Sequence, residues 1–483
     1  MSAGEASGEL AGGGERSVVF GSVAGVADRT GDQGMSETIR EPQRHVPVVA
    51  DVDVCVVGGG CTGVFAAVAA VRQGVSAAVI ESNGFFGGVA TGGLVNIWHG
   101  LKDTVGQRPI IGGLTAHVLE RLGRREAVQT GSGPNAAYRL NTEELKIELD
   151  ELITEHRVRP MLHTRFGAPV VEDGVVSAVI VEDKTGRRAV RARMFIDATG
   201  DGDLIARAGL PHTVWGDLQP PTTCARIRGI AAPGVGARIR QTVFADKYRG
   251  RIPLGFMWEA PVCGHPDELM VAGTRVPEAD CSDADSLTAA EMEGRRQVRA
   301  IMDIIRDEID DCRGATLSVL PAAIGIRETR HASCLHTLTE QEVLHGVRFD
   351  DAIANGSYRV DVHHSSKGGL TFRYLDGREE YVVPGEPRVD GRWREPIEQD
   401  PTFYQIPYRS LVPKGARNVL VAGRPIDADR GGYGAIRVMV NCNQTGEAAG
   451  TAAALALADD VPVDEVDTGK LRAELAEHGA III

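Results

Sequence analysis

The chain has 483 residues, with 52 basic against 66 acidic side chains and a formal charge of -14, a balance that argues against nucleic acid or an anionic membrane as partner. Hydrophobic residues at 43% and charged residues at 24% exclude wholesale disorder. The length calls for one large domain with an insertion, or for two or three domains. Glycine reaches 59 residues, above the usual share of about 7%; with no collagen period, the excess belongs to loops and close backbone approaches.

Residues 1–45 are rich in Gly, Ala, Ser and charge and read as a disordered leader, with Met35 as an alternative start. From Asp51 the pattern sharpens into a strand over 52–57, a turn at Gly58 to Gly60, an alanine-rich helix to about Gln73 stopped by Gly74, and a strand over 76–80 ending at Glu81. This βαβ unit demands a parallel sheet. The apolar run Val54 to Val71 is long enough to be weighed as a membrane span, but its glycines and its β-branched and alanine halves read as strand then helix. A helix follows over 141–157 with Asn141 as its cap, then short strands over 161–196. Between 212 and 404 the periodicity weakens around one long helix, Ser286 to Arg313, the profile of an inserted, substrate-facing domain. At Asn418-Val-Leu-Val-Ala-Gly423 the core idiom returns, followed by a small-residue helix over 441–458. The expected division is therefore a discontinuous nucleotide-binding domain, 46–211 and 405–460, an inserted domain, 212–404, and a C-terminal tail, 461–483. The eight cysteines are scattered without a Cys-x-x-Cys pair, which speaks against zinc, against a dithiol motif, and for a reduced cytoplasmic setting.

The sharpest chemical signal is Gly58-x-Gly60-x-x-Gly63, placed between a strand and a helix. Gly58 makes the turn, Gly60 lets the backbone approach a pyrophosphate, and Gly63 lets helix and strand pack closely, while the helix N-terminus at Cys61 and Thr62 offers free N–H donors. Glu81 ends the second strand, where a carboxylate binds ribose hydroxyls. These residues indicate a dinucleotide and leave FAD and NAD both open. Gly87-Gly88-Val-Ala-Thr91, Asp197-Ala-Thr-Gly-Asp201-Gly-Asp203 and Ala422-Gly423-Arg424 spread the contacts over distant segments of one sheet, as a longer ligand needs.

With Ile324-Gly-Ile-Arg327-Glu328-Thr-Arg330, Asp350 to Tyr358, Tyr404 to Leu411 and Ile436-Arg437-Val-Met439 added, the chain from about 50 to 456 resembles the FAD-dependent oxidoreductase family of glutathione-reductase-like flavoproteins, related to the flavin subunit of heterodisulfide reductases. The resemblance implies an α/β fold, a Rossmann-like FAD-binding domain of glutathione-reductase type carrying an inserted α+β substrate domain. It implies FAD bound by Gly58, Gly60, Cys61, Thr62, Gly63, Glu81, Gly88, Thr91, Asp201, Gly423, Arg424, Ile436 and Arg437. Iron–sulfur cysteine spacings are absent, and Gly234-Val-Gly236 lies outside any βαβ pattern, so neither heterodisulfide chemistry nor a dedicated NADPH domain is expected.

Candidate catalytic groups are His99, Tyr433 as proton donor or ring contact, and Arg437, whose charge and following helix suit the flavin's N1 and C2 carbonyl. Arg327, with Glu328 and Arg330, either binds an anionic substrate or belongs to a buried ion-pair network; His363 and His364 are candidates for orienting substrate. A metal site is not expected. The leading function is an oxidase or dehydrogenase passing hydride from a small organic metabolite, in specialised metabolism, to flavin N5, with O2 or another acceptor closing the cycle. A flavin monooxygenase using NAD(P)H or a partner reductase and a non-catalytic flavin scaffold stay open, as does a homodimer.

Overall fold

Val54 to Val57 and Ala77 to Ile80 are continuous apolar runs, and burial on both faces is what such runs require. In the computed structural model, which describes residues 38–133, 135–230, 234–253 and 255–483, they form the centre of a parallel sheet. Met35 and nearly all of the expected leader lie outside the described residues. The parallel strands run in the order Arg159–Met161, Ala77–Ile80, Val48–Val57, Gly186–Asp197, Val419–Val421. The first half of Gly186–Asp197 pairs antiparallel with Val175–Asp183, which pairs in turn with Arg165–Glu172.

The helix Cys61–Arg72 lies against the late helix Met439–Asp459, which is buried along most of its length. Glycine sets how closely they approach: a Cβ on Gly446 would stand 2.1 Å from the Thr62 carbonyl oxygen, and one on Gly450 2.0 Å from that of Ala66. The helix Thr142–Glu155 begins where expected, the Asn141 side chain accepting from the N–H groups of Glu143 and Glu144.

The segment 212–404 contributes two four-stranded antiparallel sheets. One orders Trp258–Val262, His265–Ala272, Ala225–Arg228 and Thr316–Val319; the other orders Val360–His363, Leu370–Arg373, Arg378–Val382 and Val389–Arg392. Its long helix, Ala284–Glu308, is capped by Asp283 and stops short of Arg313 because Ile309 turns extended. Ile227, Ile239, Val298, Ile301 and Ile305 belong to a core beneath it.

Residues 461–483, expected as a tail, carry the helix Thr468–Glu477, whose Leu471 and Leu475 are buried one turn apart. The chain end is held by side chains of the body: the Ile481 carbonyl accepts from Asn355 Nδ2 at 2.7 Å and that of Ile483 from Gln405 Nε2 at 2.8 Å. Among the described residues, no helix is long and apolar enough to cross a membrane, and no group of His, Cys, Asp or Glu is placed to hold a metal ion.

Candidate functional site

A cavity of about 730 Å³ runs along the C-terminal ends of the parallel strands, from Glu81 past the glycine turn to Arg437 and the start of the helix Met439–Asp459. The three glycines of the turn differ in what surrounds them. Gly58 has φ +107, and a Cβ there would stand 2.3 Å from the Ala198 carbonyl oxygen; one on Gly63 would stand 1.8 Å from that of Gly58. Gly60 has ordinary extended backbone, φ -61 and ψ 172, and the nearest neighbour of its Cβ is Gly88 Cα at 3.8 Å. Gly60 lines the cavity, and the helix behind it has no side-chain cap, so its first N–H groups are left for a ligand.

Glu81 is 6% exposed. Its Oε2 accepts from Gly59 N–H at 2.9 Å, and its Oε1 accepts from Asn83 N–H at 2.7 Å, Asn83 Nδ2 at 2.8 Å and Ser82 Oγ at 3.1 Å. One carboxylate thus clamps the turn and the loop after the strand while still facing the cavity. Glu81→Ala is expected to weaken FAD binding about ten- to hundredfold, the worth of charge-assisted hydrogen bonds of roughly 1.5–3 kcal/mol. Flavin content and affinity equal to wild type would refute the role.

The loop after Glu81 closes on the turn through a Gly87 N–H bond to the Gly59 carbonyl at 2.9 Å. Gly88, at φ +54, lines the cavity. Thr91 sits behind the wall, its hydroxyl donating to the Phe86 carbonyl at 2.7 Å and holding the loop in shape. Cys61 and Thr62 line the cavity at the helix start, and Gly423 and Arg424 face them from the end of Val419–Val421. Arg424 pairs with Asp201 at 3.0 Å, and Thr329 Oγ1 donates to the same carboxylate at 2.9 Å. Burial raises the Asp201 pKa against the pull of Arg424.

At the far end stand Arg437, Met439, Cys442 and Asn443. Asn443 is 1% exposed, and neither its Oδ1 nor its Nδ2 has a protein partner. Ile436 is buried beneath this wall rather than in it. Tyr433 is also outside the lining: its hydroxyl donates to the Arg327 carbonyl, and burial pushes its pKa up, so its proton is committed to the fold.

Behind Arg437 lies a buried polar cluster. Asp361 Oδ2 accepts from Tyr358 Oη at 2.9 Å and from Arg437 at 3.2 Å, while its Oδ1 faces His363 Nε2 at 3.3 Å. Burial alone would raise the Asp361 pKa, but the positive charge of Arg437 beside it holds the group below the ordinary carboxylate range. Burial, then Arg327, pushes His363 well below the usual imidazole value. Asp361 and His363 share one face of the strand Val360–His363, as alternation dictates. His364 falls on the other side, where its Nε2 meets Thr371 Oγ1 at 2.9 Å, and it lines neither this cavity nor the next.

His99 lines a second cavity of about 630 Å³ with Tyr358, Arg359, Val440 and Asn441, its ring centroid 4.2 Å from that of Tyr358. Burial, then Arg359, lowers its pKa to about 3. The cluster around Asp361 therefore separates the two cavities, Arg437 facing one and Tyr358 the other. Sequence reasoning singled out Arg327, His363 and Arg437 but missed Asp361, Tyr358 and Asn443. Asp361, two residues before His363 on a strand, had a readable signal; Asn443, within an alanine-rich helix, had little.

The sequence pattern of the FAD dependent oxidoreductase family matches residues 53–475. Solved structures similar to the chain include a geranylgeranyl bacteriochlorophyll reductase-like protein from Thermoplasma acidophilum, 12% identical over 89% of this chain and 84% of that one, TM-score 0.44. The p-nitrophenol 4-monooxygenase PnpA from Pseudomonas putida DLL-E4 is 12% identical over 89% and 84%, TM-score 0.41. The myxobacterial chondrochloren halogenase CndH is 12% identical over 89% and 80%, TM-score 0.43.

Proposed function

Because the chain belongs to the FAD-dependent oxidoreductase family, we propose that it oxidises a small organic molecule held between the Arg437 end of the first cavity and the strand Val360–His363. The residues present fit FAD. Gly60 leaves room for a group that any larger side chain would displace, the helix start is uncapped, and the buried Asn443 amide has both polar atoms free at the opposite end. Gly58, Gly60, Cys61 and Thr62 would hold the pyrophosphate, with Gly63, outside the cavity lining, setting the helix close against the turn; Glu81 would hold the adenosine ribose, and Asp201, Gly423, Arg424, Arg437 and Asn443 the flavin half. The finer likeness, to glutathione-reductase-like flavoproteins, belongs to the same proposal and is supported by these segments lining one cavity. When bound, FAD supplies a two-electron acceptor for a substrate C–H bond, with O2 or another acceptor restoring it.

The chain's own residues fix the Arg437 end of the cavity, where the substrate is oriented. His363 Nε2 stands 3.3 Å from Asp361 Oδ1, but the ring lines neither cavity, so its part is to position Asp361 and, through it, Arg437. Burial holds this imidazole well below its usual pKa and so neutral at pH 7, which suits a positioning residue rather than a base. Asp361 fixes Arg437 and the ring together, and Tyr358 fixes Asp361. The observation that carries the proposal is the continuity of one cavity from Glu81 to Arg437. Its test is the visible spectrum of the purified protein, followed by an anaerobic screen of metabolites for flavin bleaching; a colourless protein, or a flavin that no metabolite bleaches, counts against it.

Arg437→Met is expected to lower the midpoint potential of the bound FAD, since a cation near the ring favours the more negative redox state. An interaction of about 1–2 kcal/mol, the scale of a partly buried charge at a helix end, corresponds to roughly 20–40 mV for two electrons. Its bond to Asp361 mutes the effect, so Asp361→Asn is expected to shift the potential the opposite way. Potential and flavin content measured on one preparation decide the matter: an unchanged potential with full flavin removes the tuning role from Arg437.

A further inference from the structure

Arg275 is 1% exposed and has no carboxylate to pair with. Its Nη1 donates to Thr222 Oγ1 at 2.7 Å and to the Thr274 carbonyl, while its Nε and Nη2 have no partner. Arg327 Nη1 donates to the same Thr222 hydroxyl, also at 2.7 Å, and to the Pro220 carbonyl. Two buried guanidiniums thus converge on one neutral hydroxyl, and Arg437 lies within electrostatic reach of both. Asp361 lies within electrostatic reach of all three; its Oδ2 is already bonded to Arg437 and Tyr358, and its Oδ1 stands 3.3 Å from His363 Nε2. The other buried carboxylate here, Glu328, accepts from Gln219 N–H at 2.9 Å and faces His331 at 3.1 Å, so Arg275 is left without a counter-charge of its own, which is costly. The unpartnered donors have a shape as well: Nε and Nη2 form the side edge of the guanidinium, two parallel N–H groups that match the two oxygens of a carboxylate. Gln219 Nε2, buried and likewise unpartnered, adds a donor beside Pro220 and is tied to the strand of Asp361 through its Oε1, which accepts from His363 N–H at 3.2 Å.

We propose that the substrate carries a carboxylate and that Arg275, with Arg327 and Gln219 beside it, is the group that recognises it. The proposal rests on the FAD reading only in taking this anion to be the substrate; the anion site itself needs no flavin.

Titration calorimetry on the purified protein tests it, with lactate, succinate and phenylacetate as carboxylates, inorganic phosphate and glycerol 3-phosphate as the phosphate arm, and methyl lactate as the uncharged control. A saturable carboxylate isotherm is expected, with the ester at least tenfold weaker and Arg275→Met at least tenfold weaker than wild type. Without ligand, Arg275→Met is expected to melt above wild type, since it removes an unpaired buried charge; a merely structural arginine predicts the reverse. Should that variant fail to fold, Arg275→Lys keeps the charge, loses the two-pronged edge, and is expected to weaken carboxylate binding to a similar degree. Binding of phosphates in place of carboxylates overturns the proposal. So does the absence of any carboxylate isotherm, or undiminished carboxylate binding in the variants. Flavin content of the same preparation separates the two readings: colourless protein that binds a carboxylate refutes the FAD assignment and leaves the arginine site standing, whereas flavin-loaded protein that binds none does the opposite.

Discussion

Gly60→Val is expected to fold and to be colourless. The backbone at Gly60 is extended, with φ -61, so a branched side chain fits its conformation, and its Cβ would meet only Gly88 Cα at 3.8 Å, an ordinary contact. Neither the backbone conformation nor the added Cβ opposes the substitution. The two γ-methyl groups instead occupy the space at the uncapped start of the helix Cys61–Arg72, where a pyrophosphate must reach the backbone N–H groups. The loss is therefore confined to cofactor binding: absorbance near 450 nm should be absent after purification, with the far-ultraviolet circular dichroism of flavin-free wild type retained. Full flavin in the variant would reduce Gly60 to a turn residue and remove the main support for the cavity's assignment.

Glu447→Gln is expected to remove a pH dependence from stability. Glu447 is 3% exposed in the helix Met439–Asp459, and its carboxylate accepts from Leu114 N–H at 3.1 Å, at the start of the helix Gly113–Arg124. Burial raises its pKa from 4.5 to about 7, against the pull of the Leu114 N–H and of Arg72. Between these values the folded chain keeps a proton that the unfolded chain has released, so this group's contribution falls as pH rises and its cost is complete above pH 7. A shift of this size is worth on the order of 3 kcal/mol. The amide still accepts from Leu114 N–H without the charge. Wild type and variant should thus melt together near pH 4.5 and diverge by pH 8, with the variant the more stable. Parallel melting curves across this range would show that the carboxylate is ionised in the fold without penalty.

The part of the fold that could be read beforehand is the part where one residue type has one structural use. Gly58, Gly60 and Gly63 fall between a β-branched run and an alanine run; Gly58 and Gly63 have no room for a Cβ, and Gly60 opens on the cavity. Asn141 and the helix it caps were likewise legible, because capping is a local exchange of hydrogen bonds. The proposed substrate end was legible only in part, through Arg327, His363 and Arg437. Arg275 and Arg327 come from distant segments and meet over Thr222, and no local pattern records such a meeting. Thr91 and Tyr433 have the right chemistry and the right neighbours in sequence, yet their hydroxyls are spent on the Phe86 and Arg327 carbonyls. The segment 461–483 was misjudged because Leu471 and Leu475 make only a weak amphipathic signal, while the acceptors that fix the chain end are backbone carbonyls that every sequence possesses.

The pairing of Val419–Val421 with Phe195 to Asp197, and the seating of the helix Met439–Asp459 on Cys61–Arg72, impose an order on biosynthesis. During translation the other strands of the parallel sheet emerge first, and the sheet lacks its last strand and its covering helix until residues 419–459 have been made. Throughout that interval the open edge of Gly186–Asp197 and the small-residue face of Cys61–Arg72 have no native neighbour, and long-range pairing of this kind is slow and prone to aggregation. The nascent chain is therefore a natural client for chaperones, and its yield should respond more strongly to their supply than that of a protein whose contacts are local.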